Sequence, residues 1–153
     1  MVTEGSAAPE FTLPRDGGGE VSLSDLKGKK VVLYFYPKDD TSGCTTEAIN
    51  FTSHLAAFEA AGAAILGVSK DSVASHDKFR KKHELGVTLL SDADSDVCER
   101  YGVWAEKSMY GKKYMGIERS TFVIDGTGKV ARAWRKVKVP GHAEEVLAAV
   151  QWL

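Results

Sequence analysis

The sequence predicts an α/β protein with a mixed central sheet flanked by helices and preceded by an N-terminal β-hairpin. Two β-rich, almost wholly apolar runs, residues 30–36 and 63–69, are separated by a stretch with helical periodicity. Strands that alternate with helices in this way form a parallel sheet covered by helices. A glycine turn at residues 126–128 then joins two further β-rich runs, and this tight antiparallel connection makes the sheet mixed.

The first half of the chain supplies the hairpin and the first two buried strands. Short β-rich runs flank the Gly17-Gly18-Gly19 turn, and Pro37 ends the first buried strand. Apolar residues then recur at helical spacing until Gly62, which is suited to end a helix. The predicted elements are two hairpin strands, a strand, a helix and a strand, over residues 11–13, 20–23, 30–36, 45–61 and 63–69.

The second half continues the alternation and closes with a hairpin and a helix. Asp71 or Ser72 is suited to cap the first of these helices, which runs to about His83. The next predicted elements are a strand, a short helix, the two hairpin strands and a final helix, over residues 87–91, 94–101, 119–125, 130–135 and 142–153. This order of elements is that of a thioredoxin-like fold with an N-terminal extension.

Length and composition indicate one globular domain over residues 1–153 with a substantial core. The formal net charge is -1 and no run of like charges occurs, so neither nucleic acid nor an anionic membrane is expected as a partner. The N-terminus lacks the basic start and apolar segment of a signal peptide. No apolar run approaches the roughly 18 residues of a membrane span, and we therefore expect a cytoplasmic protein.

The chain contains two cysteines, Cys44 and Cys98. A reducing compartment disfavours a structural disulfide, and two cysteines so far apart in sequence do not make a zinc site. Each is therefore either a small buried residue or a reactive thiol. For an arbitrary cytosolic cysteine, the buried residue is the more frequent case.

The neighbours of Cys44 favour a reactive thiol. Cys44 follows a buried strand, Pro37, a polar loop and Gly43, and it directly precedes a predicted helix. In the first turn of a helix, unpaired backbone N–H groups and the positive end of the helix dipole stabilise a thiolate. The thiolate is the nucleophilic form of cysteine. A structural cysteine would need apolar neighbours, whereas these neighbours are polar and rich in glycine.

The spacing Pro37-x-x-x-Thr41-x-x-Cys44 is the signature of the peroxiredoxins. The longer run of residues 34–48 resembles the peroxiredoxin Q branch, also called bacterioferritin comigratory protein. The resemblance continues over nearly the whole chain, at residues 8–14, 90–92, 101–104, 106–112 and 116–125. It implies a thiol-dependent peroxidase that reduces hydrogen peroxide and small organic hydroperoxides. It also implies a monomer that needs neither a metal nor an organic cofactor.

The resemblance assigns roles to residues around the cysteine. Cys44 would be the peroxidatic cysteine that attacks one peroxide oxygen, and Thr41 would offer its hydroxyl to the thiolate and the peroxide. Pro37, which has no N–H, would shield the thiolate from water. The backbone N–H groups of Gly43 and Cys44 would hold the substrate oxygens.

Two charged residues complete the site that the resemblance implies. Arg119 would reach the cysteine and stabilise both the thiolate and the charge that develops on the leaving oxygen. A guanidinium suits this role because it stays charged and presents fixed donors. Without the resemblance, a surface salt bridge would be the commoner role for this arginine. Glu47 would hold Arg119 in place, although helix electrostatics alone also favours a glutamate in a first turn.

The chain departs from the family pattern because it lacks the usual resolving cysteine. Many members carry it five residues after the first cysteine, where this chain has Ile49, and others carry it in the next helix, around Phe79 and Arg80. Cys44 would therefore become a sulfenic acid that another thiol must reduce. We favour a one-cysteine mechanism with thioredoxin, glutaredoxin or glutathione as the external thiol. The alternative is that Cys98 resolves the sulfenic acid, which requires α-carbons within about 7 Å.

Two other classes of function would use the same sequence differently. A non-enzymatic peroxide sensor or redox relay would employ the same residues, and a structural or holdase role would leave Cys44 inert. The absence of a Cys-x-x-Cys motif argues against a thioredoxin-type disulfide exchanger.

The sequence gives little support to a metal site. The run of residues 92–96 imitates a calcium loop, but Val97 and Val103 occupy the positions that need Gly and Glu. The histidines show no metal-ligand spacing and are predicted to lie at the surface, at positions His54, His76, His83 and His142.

Overall fold

The computed structural model describes residues 2–153. Its strands are β1 Thr12–Pro14, β2 Glu20–Ser22, β3 Lys30–Phe35, β4 Ala63–Ser69, β5 Thr88–Ser91, β6 Trp104–Met109, β7 Lys112–Ile117, β8 Ser120–Ile124 and β9 Val130–Trp134. Its α-helices are α1 Ser42–Ser53, α2 Leu55–Ala60, α3 Val73–His83, α4 Val97–Arg100 and α5 His142–Trp152.

The central sheet has the strand order β5-β4-β3-β8-β9. Strands β3, β4 and β5 are parallel, whereas β8 pairs antiparallel with β3 and β9 pairs antiparallel with β8. In this register Leu33 of β3 lies between Leu66 of β4 and Phe122 of β8. Strands β1 and β2 form a separate N-terminal hairpin. The mixed sheet, its helices and the hairpin extension confirm the predicted architecture.

Strand β3 separates two hydrophobic cores. Side chains alternate along a strand, so neighbouring residues point to opposite faces of the sheet. Leu33 and Phe35 belong to one core with the N-terminal hairpin and α4. Val32 and Tyr34 belong to the other core with residues of α1, α2, α3 and α5. The sheet therefore lies between two cores of different composition.

Aromatic packing fixes α1 on the second core. The rings of Tyr34 and Phe51 stack with centroids 4.8 Å apart, and Phe58 of α2 lies 5.9 Å from Phe51. All three side chains are fully buried. Stacked aromatic pairs add about 0.5–1.5 kcal/mol beyond their buried area. This cluster sets the distance of α1 from β3 and so positions the residues at the start of α1.

The helix predicted over residues 45–61 is two helices in the structure. It is interrupted at His54, whose φ of -103° and ψ of 8° are not helical. The preceding Ser53 hydroxyl donates to the Asn50 carbonyl, and the Thr52 hydroxyl accepts from the Gly86 N–H. Short polar side chains compete with backbone hydrogen bonds in this way and weaken a helix. Hydrophobic periodicity did not reveal this break.

The β6–β7 hairpin was not among the predicted elements. Tyr110 and Gly111 form its turn with φ values of 52° and 79°. Several of its residues are exposed, including Met109, Tyr114 and Met115. The strands therefore lack the alternating burial that makes a strand recognisable. The Tyr-Gly pair at the turn was the available signal, since primed turns need positive φ.

The surface location predicted for the histidines is wrong for two of them. His76 is 0% exposed and His142 is 5% exposed, while His54 and His83 are half-buried. His76 Nδ1 lies 2.7 Å from Asp39 Oδ2, and His76 Nε2 lies 2.9 Å from the Leu90 carbonyl. His142 Nε2 lies 2.8 Å from Thr121 Oγ1. These partners come from distant segments, so sequence spacing could not identify them.

The same contacts bring together three side chains of the types that can bind a metal ion, a cluster that sequence spacing did not show. Ligand atoms of Asp39, Asp71 and His76 lie within 4.8 Å of one another. Hydrogen bonds already engage them, because both imidazole nitrogens of His76 face acceptors and Asp71 Oδ2 accepts from the Asp39 N–H.

The described part of the chain contains no helix that is both long and apolar enough to cross a membrane.

The buried pair of His76 and Asp39 makes stability depend on pH. Burial lowers the pKa of His76, but the hydrogen bond to Asp39 and the charge of that carboxylate raise it by more, so it lies above the ordinary 6.5. A raised pKa stabilises the fold fully below the unfolded-state value of 6.5. This contribution is lost as the pH rises through the folded-state value.

We expect His76→Gln to lower the free energy of unfolding by roughly 3–5 kcal/mol at about pH 6, because it breaks a buried ion pair. Between about pH 6 and about pH 8.5 the wild type should lose stability relative to the variant. Urea unfolding at both values measures this difference. His54→Gln, at a half-buried surface position, serves as the control. A difference that stays constant with pH would contradict the assigned charge of His76.

Candidate active site

The start of α1 determines the location of Cys44. Strand β3 ends beside Pro37, and the loop after it leads to Thr41, whose extended φ and ψ of -91° and 156° make it the N-cap of α1. Cys44 is the third residue of α1 and is 1% exposed. The predicted position in the first helical turn is confirmed.

Unpaired backbone donors surround this position. The first helical hydrogen bond runs from the Thr45 N–H to the Thr41 carbonyl at 2.8 Å. Within residues 2–153, the N–H groups of Gly43 and Cys44 have no acceptor. Free N–H groups and the helix dipole make such a helix start favourable for a thiolate or an oxyanion.

Arg119 reaches Cys44 from the residue before β8. Its Nη2 donates to Cys44 Sγ at 3.3 Å, and its Nη1 donates to Glu47 Oε1 at 2.6 Å. A Cβ atom on Gly43 would lie 3.2 Å from Arg119 Nη2, so the glycine makes room for the guanidinium. The structure brings Cys44, Arg119 and Glu47 together as expected.

Glu47 is a buried acid in this group with one oxygen that lacks a hydrogen-bond partner among the described residues. Its side chain is 2% exposed, and its Oε2 has no hydrogen-bond partner among the described residues. Burial raises the pKa of Glu47 to about 7, and the charge and hydrogen bond of Arg119 oppose this rise only in part. Tyr34 also has a buried unpaired hydroxyl, and burial, Glu47 and Cys44 raise its pKa. Sequence reasoning did not identify Tyr34.

Thr41 is the N-cap of α1 and Pro37 precedes it in the loop after β3, but the expected hydrogen bond from the Thr41 hydroxyl to Cys44 is not formed. The Thr41 hydroxyl donates to the Lys38 carbonyl at 2.9 Å, and the described residues show no hydrogen bond between Thr41 and Cys44. Pro37 is half-buried where β3 leads into the loop.

The loop before α1 has an anchor that sequence reasoning missed. Asp39 accepts from the Tyr36 hydroxyl at 2.6 Å and from the Ser75 hydroxyl at 2.8 Å, in addition to its contact with His76. Its own N–H donates to Asp71 at 2.8 Å. These bonds tie the loop to α3 and hold the backbone that leads to Cys44.

Cys98 lies in the other hydrophobic core. It is 0% exposed and packs with α4 and the N-terminal hairpin, whereas Cys44 belongs to the core on the opposite face of the sheet. Its N–H donates to Asp92 Oδ2 at 2.8 Å. Burial and the Asp92 carboxylate raise the pKa of the Cys98 thiol, which disfavours the nucleophilic thiolate.

Comparison with known proteins identifies the family. Residues 5–133 match the AhpC/TSA family. A putative peroxiredoxin bcp from Coxiella burnetii is 57% identical over 146 residues, which are 95% of this chain and 97% of the relative. The chain belongs to the AhpC/TSA family.

Two solved structures place it among the peroxiredoxins of the Bcp and Q type. A mutant of Xylella fastidiosa PrxQ is 44% identical with a TM-score of 0.94, over 99% of this chain and 97% of that one. The bacterioferritin comigratory protein of Xanthomonas campestris is 50% identical with a TM-score of 0.88, over 93% and 90% of the two chains. For the Xanthomonas campestris protein, trapped intermediate/ligand complex structures give insight into its alkyl peroxide reduction activity.

These findings confirm the expected peroxiredoxin family and its thioredoxin-like fold. They also establish the chain as a thiol-dependent peroxidase, an enzyme that uses a hydroperoxide and a thiol reductant. Within a peroxiredoxin, the cluster of Cys44, Arg119 and Glu47 at the start of α1 is the candidate active site.

We expect Gly43→Ala to slow peroxide reduction roughly tenfold, because small displacements of a positioned group are costly and the new methyl group would push Arg119 away from Cys44. Stability should not fall, since alanine is favoured over glycine in helices by up to about 1 kcal/mol. Ser42→Ala, at an exposed position of the same turn, is the matched control. Stopped-flow oxidation and urea unfolding measure both effects. A variant as fast as the wild type would contradict this role of Gly43.

Proposed function

We propose that Cys44 is the peroxidatic cysteine, that it reduces hydrogen peroxide and small organic hydroperoxides, and that an external thiol returns it to the thiol state. The observation that carries this proposal is the Arg119 guanidinium 3.3 Å from Cys44 Sγ at a helix start with free N–H groups. The arrangement combines a nucleophile with donors for the charge that the reaction creates.

The proposed chemistry follows from these contacts. The Cys44 thiolate attacks one peroxide oxygen, the S–O bond forms and the O–O bond breaks. The second oxygen leaves with a negative charge and takes a proton to become water or an alcohol. Arg119 and the N–H groups of Gly43 and Cys44 stabilise that charge, because they are fixed donors in a site with little water. Cys44 is left as a sulfenic acid.

Pro37 and Thr41 have supporting roles in this proposal. Pro37 covers the site without an N–H that would compete for the thiolate. Thr41 offers its hydroxyl to the peroxide once the hydroxyl turns away from the Lys38 carbonyl, a bond of 2.9 Å. Peroxide binding supplies the replacement hydrogen-bond partner.

A one-cysteine mechanism is the better supported way to close the cycle. The central sheet separates Cys44 from Cys98, which is fully buried. Ile49, at the usual position of a resolving cysteine, is 43% exposed and carries no thiol. An external thiol, supplied by thioredoxin, glutaredoxin or glutathione, is therefore the proposed reductant.

The remaining features of the proposal come from the family resemblance and the composition. They are a monomeric state, a single domain over residues 1–153 and a cytoplasmic location, where reducing thiols are abundant. A sensor or relay is the second candidate, because it would use the same residues and differ from the enzyme only in turnover.

Arg119→Ala is expected to slow peroxide reduction by roughly 10²–10³-fold, the usual cost of losing a donor to the developing charge. The fold should persist, because a buried acid that loses its cationic partner can be neutral. Single-turnover oxidation kinetics, with circular dichroism as the test of folding, measure the effect. Arg132→Ala, at an exposed position, should react as the wild type does. An unchanged rate in Arg119→Ala would remove Arg119 from the site.

The fate of the two cysteines is tested by intact mass after one equivalent of hydrogen peroxide. We expect a trappable sulfenic acid on Cys44 in the wild type and in Cys98→Ser, and no oxidation in Cys44→Ser. A Cys44–Cys98 disulfide in the wild type would contradict the one-cysteine mechanism.

The same samples separate an enzyme from a sensor. Repeated turnover of Cys98→Ser with a simple thiol is expected of the enzyme. A single stoichiometric oxidation without turnover would favour the relay.

A further inference from the structure

Arg119 is one cation between two acids. Its guanidinium contacts Cys44 Sγ at 3.3 Å and Glu47 Oε1 at 2.6 Å. Cys44 is 1% exposed and Glu47 is 2% exposed. If both acids were ionised, two buried negative charges would share one guanidinium, whose side chain is 16% exposed. A buried charge without a partner is strongly unfavourable, so a proton is expected on one of the two acids.

Glu47 is the acid that is suited to hold this proton. Its Oε1 accepts from Arg119, but its buried Oε2 has no donor within residues 2–153 that would stabilise a second lone pair. A neutral carboxyl group without a partner costs far less to bury than a carboxylate without one. Burial raises the pKa of Glu47 to about 7 even though Arg119 opposes the shift, so the proton is exchangeable near neutral pH.

The other titratable groups near the site do not replace Glu47. Burial and the charges of Glu47 and Cys44 raise the pKa of the Tyr34 hydroxyl, which therefore keeps its proton. Burial lowers the pKa of His142, which therefore stays neutral. Burial and Arg119 lower the pKa of Lys107, a partly exposed residue of β6 whose charge solvent screens.

We propose that Glu47 holds a proton while Cys44 is a thiolate and releases it when Cys44 is oxidised. This inference rests on the proposed role of Cys44 as the peroxidatic cysteine. Before the reaction, the thiolate balances the guanidinium and the carboxylic acid is neutral. Afterwards the sulfenic acid is neutral and the Glu47 carboxylate balances the guanidinium. The buried group therefore keeps a net charge of zero at both stages.

The step balances in atoms and electrons. The thiolate sulfur forms a bond to the peroxide oxygen that carries the hydrogen, the O–O bond breaks, the sulfur is oxidised and the peroxide is reduced. The leaving oxygen receives, through water, the proton that Glu47 gives up, and departs as water or an alcohol. Glu47 acts through Arg119 and the charge balance, so it is a positioning residue with a stored proton.

Infrared difference spectroscopy tests this directly. The wild type at about pH 7 is mixed with one equivalent of hydrogen peroxide, and the same sample is analysed by intact mass. We expect Cys44 to gain one oxygen while a protonated-carboxyl band is lost and a carboxylate band appears. Glu47→Gln should gain the oxygen without these bands. Glu59→Gln, which removes an exposed glutamate, should behave as the wild type does.

The two results distinguish failure of the inference from failure of the proposed function. Oxygen gain at Cys44 without loss of a carboxyl band would overturn the stored proton and leave the peroxidatic role intact. A wild-type Cys44 that gains no oxygen would overturn the proposed function itself.

The pH dependence of the oxidation rate provides a second readout. In the wild type the oxidation rate should fall as the pH rises through about 7, where Glu47 loses the stored proton. In Glu47→Gln the amide oxygen still accepts from Arg119, but no exchangeable proton is present, so this fall should be absent. A structural role alone would lower the rate at every pH. A fall near pH 7 that persists in Glu47→Gln would contradict the inference.

Discussion

The contact between the Arg119 guanidinium and two buried acids is the interaction on which the candidate active site depends. It joins the residue before β8 to the first turns of α1, and these segments are far apart in sequence. A guanidinium can do this because its rigid fork presents two donors in different directions. Gly43 leaves room for the guanidinium, since a Cβ atom there would lie 3.2 Å from Arg119 Nη2 and would require it to shift.

The rest of the fold keeps this contact in place. Stacking of Tyr34 on Phe51 fixes the height of α1 above the sheet, and the bonds of Asp39 to α3 fix the loop that leads into it. One restraint is apolar and the other is polar. Together they hold a helix start whose N–H groups would otherwise be satisfied by neighbouring backbone or by solvent. The unpaired N–H donors of the site therefore depend on groups that do not contact the substrate.

Local patterns predicted much of this structure, and long-range contacts account for what they missed. The strand at residues 30–36 and the helix start at Cys44 depend on neighbours in sequence, so periodicity and turn residues revealed them. The burial of His76 and the anchoring by Asp39 depend on α3 and β5, which the sequence does not bring together. The hydrogen bond from the Thr41 hydroxyl to the Lys38 carbonyl could not be predicted from the sequence either, since a hydroxyl has several acceptors within reach. The resemblance supplied Arg119, which spacing alone would have assigned to the surface.

The sheet between the two cysteines has a consequence for the behaviour of the protein under stress. In the proposed one-cysteine mechanism no internal thiol would compete for the oxidised Cys44, so the supply of external thiol would set the lifetime of the sulfenic acid. A sulfenic acid that persists meets further peroxide and is carried to the sulfinic acid, which ordinary thiols do not reverse. Under that mechanism the fraction of permanently inactivated protein would increase whenever the sulfenic acid reacts faster with peroxide than with the external thiol.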